Sequence, residues 1–250
     1  MRDPIEARWL GRVDYRAAWT LQRRLVSARA ADLIPDQLLL LEHPAVLTLG
    51  RHADEGHVRA TPAVLEALRV EVIRVERGGE VTYHGPGQLV AYPILRLERR
   101  GLLLRPLVRA LEAALADTCR AFGVEAGRRD GHPGCWCDPD GARPRKIGAL
   151  GLRVERGVTY HGIALNVAPD LADFDLIDAC GAPGTVSTSI AAEGGRPPAG
   201  SPGTAVVAAS AAAFATALTR HLGAVTNPDL ARPPSLALAE LEALAALGGV

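Results

Sequence analysis

A single lysine stands among the 28 basic residues of this 250-residue chain. It is Lys146, in the segment RPRKIGALG at 143–151, and every other basic residue is arginine. A guanidinium stays protonated in any protein setting, whereas burial and neighbouring charges can bring an ammonium to neutrality. A site that must gain or lose a proton therefore explains the one lysine. The alternative is chance, or a tight space that a guanidinium cannot fill.

A cysteine stands beside glycine in the segment LIDACGAPGTVSTSI at 176–190. The small residues that follow Cys180 leave its thiol accessible and leave backbone N–H groups free to receive a developing oxyanion. The other thiols are less suited to this role, since Cys119 falls on the apolar stripe of a predicted helix and Cys135 and Cys137 belong to a predicted loop. The sequence therefore predicts Cys180 as a nucleophile, with Lys146 as its partner.

The segment RGGEVTYHGPGQ at 77–88 contains four glycines together with Arg77, Thr82 and His84. Glycine loses the most conformational freedom on folding, so such a run indicates backbone shaped around a ligand, with a pair of tight turns as the alternative. It lacks the Gly-Lys-Ser/Thr of a P-loop and the spacing of a dinucleotide fingerprint. Its pentapeptide VTYHG recurs at 158–162, at the end of another strand pattern. We predict that the two copies form two walls of one pocket.

A metal site is a weaker interpretation of the segment HPGCWCD at 132–138. His132, Cys135 and Cys137 are zinc-ligand types, but the spacing is Cys-x-Cys and no second ligand pair follows. We expect no metal, and we expect these cysteines to be loop or half-buried thiols.

The composition excludes several classes of protein. The net charge is zero, with 28 basic and 28 acidic residues, so no overall field attracts nucleic acid or an anionic membrane. The N-terminal residues carry charges throughout and contain no secretory signal, and the longest apolar run, at 204–218, is short for a bilayer span. We expect a cytoplasmic protein that binds neither nucleic acid nor membrane.

The elements that must position these residues follow from periodicity and punctuation. Helices are predicted at 14–30, with Asp14 as the cap, and at 61–68 and 105–122, and two Ala-rich helices close the chain. Strands are predicted over a bent run at 37–50 and at 70–76, 87–97, 146–155 and 158–168, with a loop at 126–145. Because helices and strands follow no βαβ repeat, the pattern favours an α+β fold with a mixed β-sheet flanked by helices.

Two units are predicted along the chain. Residues 1–221 form the catalytic domain, which includes a Pro/Gly-rich loop at about 193–203. Residues 222–250 form a C-terminal extension with a short Ala/Leu-rich helix.

Three ordered segments resemble a known family, the lipoyl (octanoyl) transferases, which are fold cousins of the lipoate and biotin protein ligases. They are RGGEVTYHGPGQLVAYPIL, KIGALGLRVERGVTYHGIALNV and DACGAPGTVSTSI, and the resemblance covers roughly residues 10–220. It implies the catalytic module of those ligases as the fold. Ala179 stands where a proline is often found in the family, and the CWCDPDGARPR loop is longer than usual.

The resemblance also implies which residues form the site. The family's acyl-thioester cysteine corresponds to Cys180 and its partner lysine to Lys146. The residues implied to line the acyl pocket are Arg77, Gly78, Gly79, Glu80, Val81, Thr82, Tyr83, His84, Ala149, Leu150, Gly151, Gly162, Ile163 and Ala164.

The reaction that the resemblance implies is a two-step acyl transfer without ATP or metal. Acyl carrier protein delivers an octanoyl or lipoyl group as a thioester on its phosphopantetheine, and Cys180 takes it. A lysine ε-amine then removes it, on a lipoyl domain of a 2-oxoacid dehydrogenase complex or on the glycine cleavage H protein. A free cysteine has a pKa of about 8.5, so an ammonium beside it favours the reactive thiolate.

Three other readings are distinguishable. An ATP-dependent lipoate or biotin ligase on the same fold needs ATP and no nucleophilic cysteine. An amidotransferase between lipoyl domains uses a cysteine but a different donor. A non-catalytic binding module, held by zinc at Cys135, Cys137 and His132, forms no acyl adduct.

Overall fold

The computed structural model describes residues 4–181, 184–196, 206–222, 225–226 and 234–248. Its strands are β1 Ile5–Arg12, β2 Asp36–Glu42, β3 Val46–Leu49, β4 Glu71–Arg74, β5 Val81–His84, β6 Gln88–Ile94, β7 Gly127–Arg129, β8 His132–Cys137, β9 Arg145–Glu155, β10 Val158–Asn166, β11 Val186–Ser187 and β12 Val225–Thr226. Its α-helices are α1 Tyr15–Ala30, α2 Pro62–Leu68, α3 Leu97–Arg100, α4 Leu104–Ala121, α5 Val206–Leu222 and α6 Pro234–Ala246. Short 3-10 helices lie at Glu55–His57, Leu171–Leu176 and Ala179–Gly181.

Most of the described strands join one mixed sheet, in the order β12-β1-β2-β6-β10-β9-β8-β7, with β11 added beside β9. β1 runs parallel to β2 and β12, whereas β6 runs antiparallel to β2 and β10. A smaller sheet has the order β4-β3-β5. The predicted α+β class with a mixed sheet is confirmed.

Strand β2 shows how the large sheet separates two cores. Successive side chains of a strand point to opposite faces, so Leu38 and Leu40 enter one cluster while Leu39 and Leu41 enter the other. Helices α4 and α5 cover the first face, and α1 and α6 cover the second. The sheet is therefore flanked by helices on both sides, as predicted.

Several local predictions are confirmed. Asp14 caps α1 by accepting a hydrogen bond from the Ala17 N–H at 3.0 Å. The apolar run at 37–50 is split at Pro44, so that β2 enters the large sheet and β3 the small one. Cys119 lies on the buried stripe of α4 and is fully buried.

The prediction of a loop at 126–145 was wrong. That segment contains the β7–β8 hairpin, which turns at Gly131 with a φ of +76° and pairs with β9. The glycines and proline of this segment argued against strands in the sequence, since both residue types are depleted in strand interiors. Cys135 and Cys137 are consequently core side chains, 0 % and 1 % exposed, and not loop thiols.

The end of the chain packs onto the same body. Leu222 is the last residue of α5 and is buried, and α6 contributes Ala237, Leu241 and Ala245 to the core that it shares with α1. Residues 197–203 of the predicted loop lie outside the described residues. The division at residue 221 stays a prediction. None of the helices in the described ranges combines the length and apolarity needed to cross a membrane.

Candidate active site

A cavity of about 420 Å³ lies between strand β5, strands β9 and β10, and the start of α4. Every pocket residue predicted from the sequence lines it except Tyr83, and Lys146 lines it as well. The wall is completed by His161 of the second VTYHG copy and by residues that the sequence did not assign to this pocket, which are Tyr15, Tyr92, Leu104, Val108, Pro133 and Leu152.

Tyr83 does not line the cavity because side chains alternate along β5. Thr82 and His84 face the cavity, while Tyr83 packs edge-to-face on Phe174 and donates a hydrogen bond to Asp173. In the second VTYHG copy, His161 likewise faces the cavity. The two copies therefore contribute to one cavity, as predicted.

Two glycines let backbones approach closely around the cavity. A Cβ at Gly151 would lie 2.6 Å from the Gly78 carbonyl oxygen, so no side chain fits between β9 and the turn after Arg77. A Cβ at Gly162 would lie 2.0 Å from the Ala91 oxygen on β6. The backbone strands around the cavity therefore pack closely at Gly151 and Gly162.

Arg77 supports the turn from inside. Its guanidinium is buried, and it donates to the Thr48 carbonyl at 2.5 Å, to the Thr48 hydroxyl at 2.9 Å and to the Gly78 carbonyl at 3.1 Å. This set of bonds ties the Gly78–Gly79 turn to β3. Arg77 therefore shapes the cavity wall, although the sequence identified it only as a residue of the pocket lining.

One part of the wall is made of aromatic and imidazole groups that are neutral at physiological pH. Burial lowers the pKa of His84 to about 3 and that of His161 to about 4. Burial also raises the pKa of the Tyr15 phenol to about 12 and that of Tyr92 well above its ordinary value. An uncharged wall of this kind suits an uncharged acyl chain, because it brings no buried charge against methylene groups.

Lys146 lies on β9 where that strand pairs with both β8 and β11. Its register partner on β8 is Trp136, and the lysine Nζ lies 5.1 Å from the centre of the indole ring. This is the distance range in which an ammonium is attracted by an aromatic face. Trp136 is 4 % exposed, and its indole N–H donates to the His132 carbonyl at 3.0 Å. The CWC motif thus contributes a tryptophan beside the lysine.

A chain of hydrogen bonds joins His84 to the backbone of Lys146. The His84 Nδ1 lies 2.7 Å from Gln88 Oε1, and the Gln88 amide donates to Asn166 at 2.9 Å. The Asn166 amide donates to the Thr188 carbonyl, and the Thr188 N–H donates to the Lys146 carbonyl, both at 2.9 Å. The chain fixes β10, β11 and β9 relative to the cavity, so it positions the strand that carries Lys146.

The Cys180 side chain lies outside the described part of the structure, and the backbone of the residue belongs to the 3-10 turn Ala179–Gly181. The Gly181 N–H donates to the Asp178 carbonyl at 3.0 Å. A Cβ at Gly181 would lie 3.0 Å from the Cγ of Glu80, and Glu80 lines the cavity. The turn that contains Cys180 therefore packs against a residue of the cavity wall.

The zinc alternative finds no support in the described residues, where no group of three or more His, Cys, Asp or Glu side chains could hold a metal ion. Cys135 and Cys137 face the core, and His132 packs edge-on against the Trp136 ring at 5.8 Å.

Two relatives of the chain are named for the same activity. The chain is 48% identical over 197 residues to an octanoyltransferase from Mycolicibacterium gilvum, in an alignment that covers 78% of each protein. It is 47% identical to an octanoyltransferase from Chloroflexus aggregans, over 76% of this chain and 85% of the relative. Residues 14–199 match the lipoyl protein ligase A/B catalytic domain.

The chain belongs to the octanoyltransferases. It is accordingly an acyltransferase of the lipoylation system.

Solved structures agree on the fold. Lipoate-protein ligase A bound with ATP superimposes with a TM-score of 0.63 at 13% identity, over 95% of this chain and 94% of that one. A bipartite lipoate protein ligase from Thermoplasma acidophilum gives 0.62 at 13% identity, over 95% and 92%. The predicted likeness to the lipoate ligase catalytic module is confirmed, and the octanoyltransferase relatives carry the conclusion about activity.

Proposed function

We propose that this octanoyltransferase takes an octanoyl or lipoyl group from acyl carrier protein onto Cys180 and passes it to the ε-amine of a lysine on a lipoyl domain. The observation that carries the proposal is the cavity of about 420 Å³, part of whose wall is uncharged. Lys146 lines this cavity, and the Cys180 turn packs against Glu80 of its wall. The acceptors are the lipoyl domains of 2-oxoacid dehydrogenase complexes and the glycine cleavage H protein.

In the first step the Cys180 thiolate attacks the thioester carbonyl. A new sulfur–carbon bond forms, the bond to the pantetheine sulfur breaks, and the pantetheine leaves as a thiolate, which takes up from solvent the equivalent of the proton that Cys180 released. The positive charge of Lys146 favours the thiolate, which is the nucleophilic form of cysteine. The acyl chain then occupies the cavity.

In the second step the acceptor amine attacks the acyl-enzyme. A carbon–nitrogen bond forms, the sulfur–carbon bond breaks, and the attacking amine must lose a proton. An amine side chain such as Lys146 can relay that proton, whereas an arginine stays protonated. One thioester is exchanged for another and then for a more stable amide, so the reaction needs neither ATP nor metal.

The test is an intact-mass measurement after octanoyl-acyl carrier protein is mixed with the enzyme in the absence of ATP. We expect the mass of one octanoyl group on the wild-type chain and none on Cys180→Ser. The acyl group should leave when a lipoyl domain is added. Transfer that requires ATP, with no adduct on the enzyme, would instead favour the ligase reading.

The protein is expected to act in the cytoplasm. The proposal places the carrier protein and the lipoyl domain in that same compartment.

A further inference from the structure

A second cavity, of about 410 Å³, lies at the start of α4. It adjoins the 420 Å³ cavity described above, which we call the acyl cavity. Leu104, Val108 and Pro133 line both cavities, so an apolar wall runs from one into the other. The outer cavity, which we call the arginine groove, carries the side chains Arg105, Arg109, Arg128 and Arg129.

A buried carboxylate builds the groove. Glu112 is 3 % exposed and accepts hydrogen bonds from the Gly134 N–H at 3.1 Å, from Arg128 Nε at 3.0 Å and from Arg109 Nη1 at 3.2 Å. These bonds fasten the β7–β8 hairpin to α4. Arg128 and Arg109 are thereby held in place. Arg128 also pairs with Asp130 at 3.3 Å, so two carboxylates offset the charge of these two arginines.

The rest of the groove keeps its positive charge. Arg105 is exposed, and the Arg129 guanidinium lies 5.3 Å from the centre of the Trp136 ring. Within the described ranges, neither Arg105 nor Arg129 forms an ion pair with a carboxylate. Four cations against Glu112 and Asp130 leave a net charge of two at the mouth of the cavity, in a chain whose overall charge is zero.

We infer that the arginine groove docks the acyl carrier protein and binds the phosphodiester of its phosphopantetheine arm. This inference rests on the proposed function. Guanidinium groups match the geometry of phosphate oxygens and form the stronger, charge-assisted hydrogen bonds. The arm must carry its thioester into the acyl cavity while its phosphate stays outside. The apolar wall that the two cavities share leads inward from the groove. The acceptor lysine carries no phosphate, so the groove fits the donor rather than the acceptor.

The structure revises which arginines belong to this surface. From the sequence alone, the arginines near the site that would be the first candidates for docking an acidic carrier protein are Arg128, Arg129, Arg143 and Arg145. Arg145 instead forms a two-bond ion pair with Glu193, at 2.7 and 2.9 Å, and neither it nor Arg143 lines the groove. Arg105 and Arg109 on α4 replace them.

The test compares two octanoyl donors, octanoyl-acyl carrier protein and octanoyl-pantetheine, which lacks both the protein and the phosphate. Arg105→Glu should raise the KM for the carrier protein by about tenfold at low ionic strength. The difference should shrink as salt is added. Octanoyl-pantetheine should react as it does with wild type, and Arg105→Lys should restore docking. Arg23→Glu makes the same charge change at an exposed residue of α1, and it should leave the reaction with both donors unchanged.

Three results would overturn the inference. One is an Arg105→Glu variant whose carrier-protein KM and salt dependence match wild type. Another is an Arg105→Glu variant in which only the second half-reaction is slower than in wild type. That result would assign the groove to the lipoyl domain. A wild-type enzyme that forms no adduct with either donor would refute the proposed function as well, whereas the first two results leave that function intact.

Discussion

Trp136→Leu tests whether the indole ring holds Lys146 in the position that the proposed transfer requires. The Lys146 Nζ lies 5.1 Å from the ring centre, and a partly buried pair of this kind contributes about 1 to 2 kcal/mol. Its loss should slow acyl transfer roughly five- to thirtyfold. The smaller side chain also leaves a cavity in the core, so we expect about 2 to 3 kcal/mol of lost stability. Trp136→Phe keeps an aromatic face and should retain most of the activity.

Single-turnover measurement of both half-reactions separates these effects, with circular dichroism to show that each variant is folded. Octanoyl-pantetheine is the donor in this comparison, because Arg129 of the groove also lies over the Trp136 ring. In a Lys146→Met background the Trp136→Leu change should cost almost nothing further, because the ring then has no ammonium to hold. A folded Trp136→Leu enzyme with wild-type rates in both halves would refute the reasoning. So would fully additive losses in the double variant, which would make the tryptophan merely structural.

Three further predictions follow from single positions. Lys146→Arg keeps the charge but cannot relay a proton, so single-turnover kinetics should show acyl-enzyme accumulating, and wild-type rates in both halves would contradict this. The pKa of His161 falls from 6.5 to about 4 on folding, so stability should drop as pH falls from about 6.5 toward 4, and urea midpoints for His161→Asn should depend less on pH. Gly162→Ala places a Cβ 2.0 Å from the Ala91 oxygen and should cost more than about 2 kcal/mol by thermal unfolding, whereas an unchanged Tm would mean that the strands yield.

Local patterns predicted the parts of the fold that local physics determines. Asp14 before an amphipathic run predicted the start of α1. The apolar run broken at Pro44 and the long apolar stripe of α4 predicted elements within one or two residues of their observed bounds. The β7–β8 hairpin was missed because its pairing with β9, rather than its own propensity, stabilises it.

The candidate site was predictable only where motifs mark it. The glycine-rich segment, the repeated pentapeptide and the family resemblance together pointed to most of the wall, yet Tyr15 and Tyr92 reach the cavity through tertiary packing that no local signal reveals. Strand alternation places Tyr83 on the face opposite Thr82 and His84, but it does not by itself identify the lining, because Val81 shares the Tyr83 face and still borders the cavity. The tryptophan between two cysteines drew attention as a metal motif, and its place beside Lys146 needed the register of β8 against β9.

Peptide mapping of the acylated enzyme tests the central claim most directly. The enzyme is mixed with octanoyl-acyl carrier protein without ATP, digested, and compared with a sample chased with lipoyl domain. The account predicts one octanoyl group on the peptide containing Cys180, and its transfer to a lysine of the lipoyl domain during the chase. An acyl group on Cys135 or Cys137, or lipoyl-domain acylation with no group ever on Cys180, would contradict it.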